Sequence, residues 1–153
     1  MLDLAPSVEG MAPDAAADAG FVFIFDIETT GLSVHKDEIT VVCGVVQSIA
    51  ARETYHELTL NLLATGGDAA AHAEQCRTLC KTLDDARFIA AYNGRCFDLP
   101  FVARWAREQG VPADAAAWNA KIIDFYQLIL THVGEHCKMQ RVCEENELPV
   151  EKS

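Results

Sequence analysis

Phe21-Val-Phe-Ile-Phe-Asp-Ile-Glu-Thr-Thr-Gly-Leu32 is the stretch on which the reading of this chain turns. Its first five residues are aromatic or β-branched, a run too short for a helix, and they predict a strand buried on both faces. Two acids, Asp26 and Glu28, follow before Thr29, Thr30 and Gly31 break the pattern. Residues two apart in a strand share a face. Two carboxylates therefore stand together at the end of an apolar strand, where they repel each other if unpaired and desolvated. A hard divalent cation that seeks oxygen resolves that conflict. A solvated turn after the strand resolves it equally well, and spacing alone leaves both open.

Outward from this stretch the chain alternates. Ile39 to Val46 and Thr54 to Leu62 read as two further strands. Gly66 and Gly67 end that region. Asp68 is a fitting N-cap for a helix of about 15 residues, in which Ala69, Ala73, Cys76, Leu79, Cys80 and Leu83 recur at helical spacing. Phe88 to Tyr92 is a fourth strand, ended by Asn93-Gly94. A helix begins near Asp98, with Pro100 where a first-turn proline is tolerated, and Gly110 stops it. Lys121 to Asp124 is a fifth strand with an acid at its end. Phe125 to Val133 and Met139 to Leu148 are helical, and Pro149 limits the second. An opening antiparallel meander followed by α/β crossovers gives an α/β fold, a mixed five-stranded sheet flanked by helices.

The 153 residues suit one domain, and half of them are hydrophobic, enough to bury a core. Residues 1–20, rich in Ala, Asp and Pro, read as a flexible leader, and residues 21–153 as the domain. There is no basic signal segment, and no apolar run approaches the ~20 residues needed to span a bilayer. The chain thus reads as soluble and intracellular, with no membrane contact and its six cysteines as thiols. A net charge of −11 is awkward for a nucleic-acid partner. Between residues 87 and 121, however, five cations face three acids. Bound metal ions would add positive charge where acids meet phosphates.

Two more acids sit directly after buried strands. Asp98, in Asn93-Gly-Arg-Cys-Phe-Asp-Leu-Pro100, stands at a helix start and on its own reads as a cap or first-turn acid. Asp124 reads equally as a cap for the helix from Phe125. Taken together, acids at three strand ends match the place where open α/β sheets gather ligands. His72, Cys76 and Cys80 lie four apart on an apolar helical face and read as core. Trp105, Trp118, Tyr92 and Phe97 read as packing residues too, and His136 is a replacement base if the fold brings it to Asp26.

Phe25 to Leu32 resembles the first exonuclease motif of the DEDD (DnaQ-like) 3′-5′ exonuclease superfamily, which has a ribonuclease H-like fold. Tyr92 to Phe101 resembles its second motif, in the style of family B DNA polymerase proofreading domains and of bacterial ribonuclease H-like exonucleases. The two stand in the right order, and the resemblance runs from Phe21 to Lys152. It implies that Asp26, Glu28 and Asp98 ligate a pair of Mg2+ or Mn2+ ions and are catalytic. Thr29, Thr30 and Leu32 would lie against the terminal nucleotide, with Leu32 on the base, and Asn93 would position the substrate strand. Asp124 matches an acid beside the site that is not a metal ligand. The implied substrate is single-stranded or 3′-terminal nucleic acid.

One element of the pattern is missing. The family's fourth acid is an Asp four or five residues after a Tyr or His that orients or deprotonates the attacking water. No Asp follows Asp124, and none of Glu144, Glu145, Glu147 and Glu151 has a Tyr or His at those positions. The expectation is a domain lacking its C-terminal segment, with a polymerase or another domain as the source of the missing part. A non-catalytic nucleic-acid or protein-interaction module of the same fold is the second reading. An acidic interaction domain unrelated to nucleic acid is the third.

Overall fold

A computed structural model describes residues 19–148. Five strands form one sheet in the order β3-β2-β1-β4-β5. They are β1 (Phe21–Thr29), β2 (Ile39–Ser48), β3 (Tyr55–Asn61), β4 (Phe88–Ala91) and β5 (Ile122–Asp124). β1 to β3 are the expected antiparallel meander, and β4 and β5 join parallel to β1. The α-helices among the described residues are α1 (Ala69–Asp85), α2 (Asp98–Glu108), α3 (Ala115–Lys121), α4 (Phe125–Val133) and α5 (Met139–Glu145). α1 begins at the predicted cap, where Asp68 accepts from the N–H groups of Ala70 and Ala71. Asp98 is a first-turn residue of α2 and not its cap. Pro149 lies outside the described residues.

β1 is buried on one face, not on two. Phe23, Phe25 and Ile27 point into the main core, at most 5 % exposed, while Ile24 on the other face is 43 % exposed and Asp26 and Glu28 are open. The cause is an unequal supply of helices. Cys76, Leu79 and Leu83 of α1, Phe101 and Val102 of α2, and Trp118 of α3 all join Phe23 in one cluster. Among the described residues, the opposite face meets only α4 and α5, which bury no residue fully. Between them and the sheet lies a groove of about 640 Å3, lined by Ile24, Val45, Phe125, Ile129, Met139 and Val142 among others.

α3 is absent from the sequence reading. Its seven residues include four alanines and one large apolar residue, Trp118, so it has no period to detect. It takes Lys121 from the expected fifth strand. Trp118 is fully buried and its indole N–H donates to Asp84 at 2.7 Å. Cys76 and Cys80 are core thiols, and all six cysteines are free. No described helix is long and apolar enough to cross a membrane.

Candidate active site

The site forms where β1 and β4, parallel neighbours, reach their C-terminal ends. The β1–β4 pairing runs from Val22–Phe88 to Ile24–Ala90. Beyond it, the Ile27 N–H donates to Asp98 Oδ1 at 3.1 Å. The Asp98 carboxylate thus continues the hydrogen bonding of the sheet where β4 has turned away. This bond ties the two sequence motifs together across 71 residues.

That position is costly for a charged group. Asp98 is 1 % exposed. Burial pushes its carboxyl up to about 7, and the negative charge of Asp26 adds to the shift against the lowering effect of the Ile27 N–H. Asp26 is also raised, first by partial desolvation and then by Glu28 on the same strand face. By area the Asp26 residue is open to solvent, so its desolvation is incomplete. Asp26 therefore lies between two acids and interacts with both. Among the described residues, no group of three or more His, Cys, Asp or Glu converges at metal-ligating spacing. The structure brings Asp26 beside Glu28 and beside Asp98 without closing a three-ligand cluster.

The loop after β1 is organised by a residue the sequence reading missed. Asp37 Oδ2 accepts from Ser33 N–H at 2.8 Å, its Oδ1 from the Thr30 hydroxyl at 3.4 Å, and its carbonyl from Arg104. A Cβ on Gly31 would lie 2.5 Å from Asp37 Oδ2, which makes glycine the fitting residue in this motif. Asp37 has no sequence signal, because its side-chain partners, four and seven residues back, meet it only once the loop has turned on itself. The Thr29 hydroxyl donates to the Gly31 carbonyl at 2.6 Å, and Thr30 Oγ1 accepts from Glu38 N–H at 2.9 Å. Both threonines thus hold the loop, while Leu32 projects from it, 87 % exposed.

Asn93 takes a left-handed conformation, φ 63°, at the turn after β4. The described residues form no hydrogen bond with its side chain. Asp124 is 4 % exposed and is spent on backbone, accepting from Asn93, Arg95, Tyr126 and Gln127. Tyr92 packs edge-on against Tyr126 and its hydroxyl donates to the Cys137 carbonyl, so it has a packing role. His136 pairs with the Tyr126 hydroxyl rather than with an acid of the site.

A parallel pair of strands beside an antiparallel meander, with acids gathered at the parallel strand ends, defines the ribonuclease H-like class. A sequence model described as the RNase_H superfamily matches residues 23–152, and the chain belongs to that superfamily. Solved structures of exonuclease I share its fold. One, whose description concerns how processivity is achieved, matches with a TM-score of 0.67 at 12 % identity, covering 85 % of this chain and 36 % of its own. The Escherichia coli enzyme in complex with a dA16 oligonucleotide matches with a TM-score of 0.67 at 11 % identity, over 88 % and 37 %. A product-bound exonuclease I matches with a TM-score of 0.64 at 12 % identity, over 89 % and 40 %. The chain thus spans well under half the length of these structures. No functionally curated protein matches it by sequence. The predicted fold, a ribonuclease H-like mixed sheet of the kind found in the DEDD exonucleases, agrees with both findings.

Proposed function

We propose that this chain carries the nucleolytic site of a metal-dependent 3′-5′ exonuclease acting on single-stranded or 3′-terminal nucleic acid. The observation that supports it best is Asp26 beside Asp98, one near the C-terminal end of β1 and the other in the first turn of α2 against the Ile27 N–H, with both carboxyls raised by burial and by like charge. Their donor atoms are oxygens, which suit Mg2+ or Mn2+. Metal bound there would activate water and stabilise the leaving oxygen. Asp26, Glu28 and Asp98 are the ligands in this reading. Leu32, held out by the Asp37-braced loop, lies against the terminal base. Thr29 and Thr30 shape the same surface, and the Asn93 amide positions the strand.

The three acids do not converge, and no Tyr or His precedes a later acid at the family's spacing. The reading therefore calls for a fourth acid and a base supplied from outside the two motifs, by more of the same polypeptide, a polymerase or another domain. General-base loss costs ~100- to 10,000-fold. The 153 residues alone should shorten 5′-labelled single-stranded DNA or RNA slowly with Mg2+ or Mn2+, and Asp26→Ala should abolish the shortening. Fast shortening that Asp26→Ala abolishes would overturn the need for an outside segment. Fast shortening that survives Asp26→Ala would overturn the site.

The second reading, a non-catalytic module that binds through the same strand ends, is favoured by the unconverged acids. Salt-dependent binding of single strands without metal-dependent shortening would identify it.

A further inference from the structure

We propose that Asp124 is a positioning residue, which sets the place of Asp98 by clamping the backbone of the 93–95 turn. Its lone pairs are taken up by backbone donors. Oδ1 accepts from Asn93 N–H at 2.9 Å, Tyr126 N–H at 3.1 Å and Gln127 N–H at 3.4 Å. Oδ2 accepts from Arg95 N–H at 3.1 Å. An acid turned onto four backbone donors and 4 % exposed is not offering its oxygens to a metal. Half of those donors belong to the helix it caps. The other half belong to the turn that leads to Asp98.

Besides Asp124, the turn is held to β5 by Arg95 Nη2, which donates to the Ile122 carbonyl at 3.4 Å, and it transmits position directly. Asn93 is held at φ 63°, a region non-glycine residues occupy at some cost, and its N–H is fixed by Asp124. Its carbonyl accepts from Cys96 N–H at 3.2 Å and Phe97 N–H at 3.0 Å, and the Gly94 carbonyl accepts from Leu99 N–H at 2.9 Å. Asp98 thus lies between two residues tied back to the turn. Gly94 is wedged so tightly that an added Cβ would lie 2.4 Å from Ala91 Cβ and 3.6 Å from Asp98 Oδ2. A turn released from Asp124 moves Asp98, and with it the contact to Ile27 N–H.

The consequence for chemistry rests on the nuclease reading, but the structural link does not. Asp124→Asn keeps Oδ1 for the cap of α4 and withdraws the acceptor from Arg95. In the full chain, amide hydrogen exchange followed by NMR should accelerate about tenfold or more at Arg95 and at Ile27. Phe23 and Ile89, deep in the sheet, should be unchanged. Uniform acceleration across the sheet, or acceleration confined to Tyr126 and Gln127, would overturn the proposal, since each describes a residue that only stabilises or only caps. Asp124→Ser, which keeps an N-cap oxygen while releasing the turn, gives the same test if the amide variant does not fold. Under the nuclease reading, Mn2+ affinity should fall about 10- to 100-fold, the usual effect of losing support behind a ligand, with excess Mn2+ restoring turnover. Wild-type chain that binds no Mn2+ refutes the nuclease reading and leaves the exchange result at Ile27 to decide on Asp124. Lost activity with unchanged exchange at Ile27 overturns the positioning role.

Discussion

Asp98 is a carboxyl in a place where folding alone would favour a neutral group. The Ile27 N–H and its own backbone N–H favour its charged form, but burial and Asp26, a neighbour of the same charge, outweigh them. Unfolded, it ionises near 3.8, and folded near 7. Between those values the folded chain holds a proton that the unfolded chain has released. Its contribution to stability is therefore greatest at low pH and is lost as pH rises from about 4 through 7, on the order of 4 kcal/mol when complete. Asp98→Asn stays neutral and can still accept from Ile27. The variant should thus be more stable than wild type near pH 8, and the gap should close near pH 4. Urea unfolding at both pH values measures it. Saturating Mg2+ should narrow the gap by favouring the ionised wild-type carboxylate. A gap that does not vary with pH would mean that Asp98 ionises as an exposed aspartate does. The residue types of the site were legible in the sequence because acids after apolar strands are conspicuous. The bond to Ile27 was not, since it depends on how two distant turns meet.

The elements follow the same division between local signal and assembly. α1 was legible because a capping acid, a helical period and the Gly66-Gly67 break agree. Asp68 Oδ1 accepts from Ala70 N–H at 2.9 Å and Ala71 N–H at 3.3 Å. Asp68→Ala should cost about 1 kcal/mol. The loss should appear in global urea unfolding, because Cys76, Leu79, Cys80 and Leu83 dock α1 into the core. No change in stability would mean that water replaces the cap without penalty. β1 was legible as a strand, but its sidedness was not. Phe21 to Phe25 is apolar at every position, so the run itself cannot say which alternate residues meet helices. α3 was silent because alanines around one tryptophan carry no period. Asp37 was silent because its role exists only once Gly31 and Ser33 have been folded back to it.

At the scale of the molecule, among the described residues, three α-helices cover one sheet face and two partly cover the other. The difference can be read on adjacent residues of one strand. Phe23 is fully buried and its ring stacks on Phe25 at 5.2 Å, within the cluster shared with α1, α2 and α3. Ile24, the next residue, faces the groove beneath α4 and α5 and stays 43 % exposed. Removing a ring from a packed core costs about 3–5 kcal/mol, through lost transfer energy and the cavity left behind. At Ile24 water already reaches the side chain and no closed cavity can form, so only a fraction of a full burial energy is lost, roughly 1 kcal/mol. Phe23→Ala should therefore destabilise the chain several times more than Ile24→Ala. Paired urea titrations at low protein concentration compare them directly. Equal costs would mean that the groove is closed in solution, by residues beyond 19–148 or by a second copy. Repeating the Ile24→Ala titration over a hundredfold range of protein concentration separates those two causes, because only closure by another copy makes its cost concentration-dependent.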